Sequence, residues 1–352
     1  METRVVFQSE QNIDRNVMEE AGRLIRAGEL VAFPTETVYG LGGDALNTAS
    51  SAKIYQAKGR PSDNPLIIHI CRFEDIYEIC SQVPPQAGKL AQAFWPGPLT
   101  MILPKADRVP GETTGGLDTV AVRFPSHPVA RAFIEAAGGF IAAPSANVSG
   151  KPSPTLAKYV LEDMNGKIPL IIDGGAVGIG VESTIIDLTG REPELLRPGY
   201  ITREMLSEVL GRVEQDQTMM EAHPTGRPKA PGMRYRHYAP KGELTLVSGE
   251  AARVASYINE QCGLAKAEHR KTGVLCTQES LPLYQASVID SVKSMGSRES
   301  QESIARELYR VLRECDDEGL EVIFAESFSD EGLGQAVMNR LLKAAGHRTV
   351  EV

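Results

Sequence analysis

Between Gly211 and Lys241 the chain loses its apolar periodicity, and Pro224, Pro228, Pro231 and Pro240 bar a regular helix or strand from crossing the interval. A chain of 352 residues interrupted in this way is expected to fold as two domains, 1–211 and 242–352, joined by a linker over 212–241, although length alone also permits one. The second half of the linker is not neutral. From Ala222 to Gly242 it holds 21 residues with no acid, yet Arg227, Lys229, Arg234, Arg236 and Lys241 are present, with Tyr235 and Tyr238 interleaved. The chain as a whole carries a net charge of -9. A cationic stretch stiffened by proline loses little entropy on ordering over an anionic ligand. A charged surface spacer is the alternative.

Upstream of the break, short apolar runs at 29–33, 66–71, 99–103, 119–124, 139–143, 170–173 and 183–188 are expected as strands, several β-branched and bounded by Pro or Gly. Helical spacing is readable at 49–57, 85–94, 128–137, 155–161 and 202–210. An opening helix starts at the cap Asp14, shows Val17, Ala21, Leu24 and Ile25 on one face, and stops at Gly28. Seven strands with fewer helices predict a mixed α/β sheet and exclude a one-to-one βα barrel. Downstream, 243–248, 251–259, 273–277, 300–313, 320–324 and 334–344 alternate strand and helix, the pattern of a small Rossmann-like α/β domain.

Apolar residues at 42% and charged residues at 24% are enough for a real core and exclude a disordered chain. The negative balance argues against a surface built wholly for nucleic acid or anionic lipid, while leaving room for a local basic site. No apolar run is long enough to span a bilayer, and the first residues lack a signal-peptide pattern, so a cytoplasmic protein with no membrane partner is expected. Five cysteines, Cys71, Cys80, Cys262, Cys276 and Cys315, show no metal-ligand spacing and are expected as reduced, buried thiols.

Phosphate-loop, dinucleotide, zinc-protease and hydrolase-elbow motifs are absent, and the six histidines are too scattered to propose a triad. The glycine-rich run 174–180 leads into a strand rather than a helix, which weakens a dinucleotide reading. Four segments remain, all at the edges of apolar strands, where α/β sheets place ligands. Phe33 to Leu41 (FPTETVYGL) runs from apolar residues into hydroxyls and a carboxylate; a capped turn would read the same. Lys58 to Pro65 (KGRPSDNP) puts two cations around a glycine, suited to a phosphate or to a solvated turn. Pro144 to Ser153 (PSANVSGKPS) is either a hydroxyl-lined site or a Ser/Asn-rich connection. Glu182-Ser183-Thr184 and Arg197-Pro198-Gly199 place hydroxyls and a cation at successive strand ends. Together they collect Lys58, Arg60, Arg123 and Arg197 with hydroxyls but no nucleophile and base, which suits positioning and charge stabilisation of a polyphosphate.

These segments, with Trp95 to Thr100 (WPGPLT) and Val122 to Pro125 (VRFP), resemble in order the threonylcarbamoyl-adenylate synthases with the YrdC-like fold. The Lys-x-Arg pair Lys58 and Arg60 and the Ser-x-Asn pair Ser145 and Asn147 match that family's signature. The likeness spans about residues 10 to 210 without evident departure, and the linker plus a C-terminal domain looks like the long, two-domain form. It implies a mixed-sheet catalytic domain followed by a Rossmann-like one, and an enzyme joining L-threonine, bicarbonate or CO2, and ATP into L-threonylcarbamoyl-AMP and pyrophosphate. That product serves threonylcarbamoyladenosine synthesis beside the tRNA anticodon, through a separate transferase complex. The resemblance implies Lys58, Arg60, Ser145 and Asn147 as catalytic residues. It implies Thr35, His69, Arg123, Ala143 and Ser183 on the threonine side. Lys58, Ser62, Thr119, Ser145, Ser153 and Arg197 fall on the ATP side, with Arg234, Tyr235 and Tyr238 folding over the nucleotide from the linker. It further implies Mg²⁺ held mainly by the ATP phosphates and no protein metal ligands.

Two other classes compete. A concave basic surface could bind tRNA or double-stranded RNA without chemistry, with steep salt dependence and indifference to threonine. Carbamoyl transfer in metalloenzyme maturation uses a related domain, but its acylphosphatase-like domain and zinc-finger cysteines are not visible in this sequence.

Overall fold

A computed structural model of the chain describes residues 2–220, 228–232 and 237–352. They divide into two compact units, Met1–Ser149 with Ser153–Arg234, and Gly150–Pro152 with Tyr235–Val352.

The first unit is built on β1 (Arg4–Phe7), α1 (Arg15–Arg26), β2 (Val31–Phe33), β3 (Gly40–Asp44), α2 (Thr48–Lys58), β4 (Ile67–His69), α3 (Ile76–Ile79), α4 (Pro85–Phe94), β5 (Leu99–Pro104), β6 (Thr119–Arg123), α5 (Pro128–Ala137), β7 (Ile141–Ala143), α6 (Ala157–Met164), β8 (Leu170–Asp173), β9 (Thr184–Asp187), β10 (Glu194–Arg197), α7 (Arg203–Leu210) and β11 (Glu214–Gln215). Its strands form one mixed sheet in the order β1-β8-β2-β3-β7-β4-β6-β5-β9-β10-β11. Local chemistry starts the helices as expected: Asp14 accepts from Asn16 N at α1, and Asn47 from Ala49 N at α2. Strand β3, Gly-Leu-Gly-Gly-Asp, has the poorest strand composition of the set. It holds because a Cβ on Gly42 would meet Ile141 Cγ2 at 2.9 Å, so only glycine lets neighbouring side chains come this close.

Register places the site. Neighbouring partners carry Ile141, His69, Arg123, Thr100 and Ile185 across β7, β4, β6, β5 and β9, with Arg197 of β10 opposite Ile185. Directly paired residues point to the same sheet face, so these side chains form one row. A second row on that face runs Ala143, Ile67, Ala121, Ile102 and Asp187. The opposite face packs Ala32, Ile68, Met101, Val122 and Ile186 under residues of α2, α4, α6 and α7. On the face bearing the rows, α1 and α5 cover only the part carrying Val31, Phe33, Ile141, Ala143 and Leu170. Over β4, β6, β5, β9 and β10 the apolar cluster is Ile67, Ile102, Ala121, Ile185, Leu196 and Ala230, with no helical residue in it. No described helix covers that half-face, and Ala230, which joins its cluster, belongs to the stretch that composition marks as linker.

The second unit alternates β12 (Glu243–Ser248), α8 (Ala251–Ala267), β13 (Thr272–Cys276), β14 (Ser291–Ser294), α9 (Gln301–Asp317), β15 (Val322–Glu326), α10 (Leu333–Ala344) and β16 (Thr349–Glu351). All its pairings are parallel, in the order β14-β13-β15-β12-β16. This is the expected Rossmann-like class, with β15 inserted between β12 and β13. The cysteines are free and buried. Among the described residues no helix is long and apolar enough to cross a membrane.

Candidate active site

Arg123, the last residue of β6, is the centre of the polar row. Its Nη1 donates to Thr37 Oγ1 at 2.9 Å, and its Nη2 stands 2.7 Å from Glu36 Oε1. Both partners of that ion pair are largely buried, yet Arg123 Nε and Nη2 and both Glu36 oxygens lack an aligned hydrogen bond. The contact is therefore Coulombic proximity without hydrogen-bond geometry. Thr35 shapes the turn that delivers Glu36: its Oγ1 donates to Val38 O at 2.7 Å and accepts from the amides of Thr37 and Val38. The glycine-rich run braces the turn from the other side, with Ile179 N donating to Glu36 O and Gly180 N to Thr37 O. A Cβ on Gly174 would lie 2.6 Å from Pro34 Cγ, so glycine is what lets this brace approach.

His69 ends β4 beside Arg123, with Nδ1 3.1 Å from Ile67 O and its ring edge-on to Phe33. Burial first, then the neighbouring Arg123 charge, lowers it to about 3, so it is a neutral imidazole at physiological pH. Ala143, at the end of β7, is buried and supplies only a small wall. Ser183 is buried before β9; its Oγ lies 2.8 Å from Thr100 Oγ1 and accepts from Arg197 Nη2 at 3.1 Å. Arg197 also donates to Ser183 O and to Pro231 O. With Lys229 Nζ donating to Asp187 Oδ2 at 3.0 Å, this fastens 229–231 onto the half-face that no described helix covers.

The two signature pairs meet. Lys58, the buried last residue of α2, donates from Nζ to the carbonyls of Ser145 and Asn147, and its own carbonyl accepts from Ser149 N at 2.9 Å. Arg60 secures its loop through Nε to Asn64 O at 3.3 Å and Nη2 to Pro65 O at 3.1 Å. Asn147 Nδ2 donates to Val148 O. Ser62 is exposed, while Thr119 and Ser145 are half-buried. Ser153 is buried and donates to Glu182 Oε1 at 2.6 Å. The structure thus joins Thr35, Thr37, Glu36 and Arg123 in one contact group, Ser183, Thr100 and Arg197 in a second, and Lys58, Ser145 and Asn147 in a third. Tyr238 belongs to the second unit, its ring 5.2 Å from Tyr309 and 5.9 Å from the Arg340 guanidinium. Arg234 and Tyr235 lie outside the described residues. Glu36, Thr37, Thr100 and Pro231 were not singled out from sequence. Glu36 had a signal, a carboxylate inside a hydroxyl-rich strand end, but its partner lies far along the chain. Among the described residues no cluster of three His, Cys, Asp or Glu could hold a metal ion.

A mixed α/β sheet that gathers guanidinium, imidazole, hydroxyl and one carboxylate group on a half-face no described helix covers, with no nucleophile set against a base among the described residues, suits an enzyme that works by holding anionic reactants together. The family described as "Telomere recombination", which covers Sua5, YciO and YrdC, matches residues 23–199. The one described as "Threonylcarbamoyl-AMP synthase, C-terminal domain" matches residues 201–346. The threonylcarbamoyl-AMP synthase of Pyrococcus abyssi is 48% identical over 348 residues, 99% of each chain. That of Bacillus subtilis is 48% identical over 332 residues, 94% of this chain and 93% of the relative. The crystal structure of P. abyssi Sua5 complexed with L-threonine matches with a TM-score of 0.93 at 47% identity, over 99% of this chain and all of that one. The chain belongs to the threonylcarbamoyl-AMP synthase family, in its two-domain form.

Proposed function

We propose that the helix-free half-face of the first unit is where L-threonine, bicarbonate or CO2, and ATP are joined into L-threonylcarbamoyl-AMP and pyrophosphate. The observation that carries this reading is Arg123, a buried guanidinium at a strand end whose ion pair lacks hydrogen-bond alignment, in a chain whose relative of known structure binds L-threonine. Arg123 takes the threonine carboxylate as a bidentate fork. Thr35, neutral His69, Ala143 and Ser183 complete the amino-acid side. Lys58, Arg60, Ser62, Thr119, Ser145, Asn147, Ser153 and Arg197 form the ATP side, where Lys58 is held at the Ser145 and Asn147 carbonyls. The amine attacks the one-carbon reactant to give a carbamate, whose oxygen attacks the α-phosphorus of ATP and expels pyrophosphate. No protein nucleophile is needed; alignment and charge stabilisation supply the rate.

Mg²⁺ would be held mainly by oxygens of the triphosphate, whose charge it would neutralise. The linker closes over the reactants and keeps water from the carbamate, a reading supported by the anchoring of Lys229, Ala230 and Pro231 to this face. The reaction belongs in the cytoplasm, and the mixed anhydride is consumed by a separate transferase acting on tRNA. The test is pyrophosphate release by the pure protein with ATP, bicarbonate and Mg²⁺. Release that depends on threonine supports the reading. Threonine-independent behaviour with steep salt-dependent RNA binding would instead indicate a nucleic-acid module.

A further inference from the structure

Amino acids arrive at neutral pH as zwitterions, and an ammonium cannot attack a carbonyl carbon until it has lost a proton. Resting on the reading of Arg123 as the carboxylate partner, we propose that Glu36 is the base that removes this proton, after first serving as a place-holder for the substrate carboxylate on Arg123. A buried guanidinium without a counter-charge is costly, and Glu36 supplies that charge at 2.7 Å in the free site. The pair is built to yield: neither Glu36 oxygen has an aligned donor, and Arg123 Nε and Nη2 have no aligned acceptor. An incoming carboxylate that takes the guanidinium in full hydrogen-bond geometry displaces Glu36 from its only ion-pair partner among the described residues. The displaced carboxylate then lies beside the substrate's α-ammonium, one carbon away from the group Arg123 holds.

The proton balance closes. The ammonium gives one proton to the Glu36 carboxylate, leaving a neutral amine and a neutral Glu36. With bicarbonate, the amine forms the N–C bond and water leaves, giving the carbamate anion; Glu36 then returns its proton to solvent. Other titratable groups lie around Glu36. His69, beyond Arg123 on β4, is lowered to about 3 by burial and the Arg123 charge. His127, at the start of α5, is lowered by burial against the opposing pull of Glu10 and Glu36. The run 174–180 that braces the Glu36 turn brings no titratable side chain, and Asp173 before it is engaged by Tyr39 and Gly175 N.

The test compares Glu36→Gln and Glu36→Asp with the native full-length protein by threonine-dependent pyrophosphate release from pH 6 to 10 and by calorimetric threonine binding. For Glu36→Gln the expected result is about a 100-fold fall in kcat at neutral pH. Its residual rate should climb about tenfold per pH unit as solution supplies the free amine, while threonine binding is kept or tightened because the place-holder charge is gone. Glu36→Asp should keep the native pH profile at a reduced rate, and it carries the test alone if the Gln variant does not fold. A Gln variant within threefold of native at neutral pH, or one with a native pH profile, overturns the proposal. So does an Asp variant that takes on the steep pH dependence, or loss of threonine binding in either variant. Native protein that releases no pyrophosphate in response to threonine overturns the functional reading instead, so the two failures are distinguishable.

Discussion

Two buried carboxylates at strand ends, one in each unit, have opposite surroundings. Glu326, the last residue of β15, accepts from Thr277 N at 3.2 Å, Ser280 Oγ at 2.8 Å, Tyr284 OH at 2.7 Å and Arg298 Nη2 at 2.8 Å. Glu36, just past β2, has the Arg123 charge nearby but no aligned donor on either oxygen. A satisfied network fixes one packing and is stabilising. An unsatisfied one in a folded chain marks a place where another molecule is expected to finish the bonding. Glu326 is committed to structure, whereas Glu36 keeps its hydrogen-bonding capacity in reserve.

The largest expected effect lies in the first unit. Lys58→Ala and Arg60→Ala should each cost at least about 3 kcal/mol of transition-state stabilisation, beyond a 100-fold loss of pyrophosphate release. Lys58→Ala should also loosen 145–149, because its ammonium ties the two carbonyls there. Native turnover in both variants would break the comparison at its root.

Next in size is the satisfied side. Glu326→Ala strands a buried amide, two hydroxyls and a guanidinium, and should lower unfolding stability by about 3 kcal/mol in denaturant titration. Glu36→Gln removes no aligned hydrogen bond but strips buried Arg123 of its counter-charge, so it should lower stability too, by less than Glu326→Ala does. Equal losses would mean that Glu36 is structural.

A smaller effect follows from His69. Its native value of about 3 lies below the ordinary 6.5, so below pH 6.5 the unfolded chain takes up a proton that the native chain refuses. Its contribution to stability is present above pH 6.5 and falls by about 1.4 kcal/mol per pH unit on going toward pH 3. Urea midpoints of native protein and His69→Gln should therefore converge as pH is lowered; parallel curves would contradict the burial argument.

The smallest expected effect concerns the thiols. Burial pushes Cys71 up to about 11 and Cys80, Cys262, Cys276 and Cys315 up to about 12, so a thiol reagent at pH 8 should label them only in denaturant.

The mixed sheet and the second unit's parallel sheet were legible because β-branched runs announce strands. Six strands were not. β3 is mostly glycine and exists because its neighbours leave no room for side chains, which only the assembled sheet reveals. β1, β11, β14 and β16 are sheet-edge strands and β10 lies next to an edge, so none needs the continuous apolar run by which the interior strands were read. In the site, motif resemblance named Lys58, Ser145 and Asn147, but their joining by one ammonium depends on contacts 87 and 89 residues apart. Glu36 was visible as a charge and invisible as a partner of Arg123, because no local rule brings β2's turn to β6's end. Residues 229–231 read as linker by composition, since a lone Ala230 carries no signal that it will plug an apolar cluster.

The central claim is that Arg123 is reserved for the amino-acid carboxylate. Steady-state pyrophosphate release by Arg123→Ala, with threonine and ATP varied in turn, tests it most directly. The threonine KM should rise about 100-fold or more while the ATP KM moves less than about threefold. Arg123→Lys should recover only part of the loss, because the planar fork is gone. Equal rises for both substrates would place Arg123 on the phosphates or in the fold, and would contradict the account.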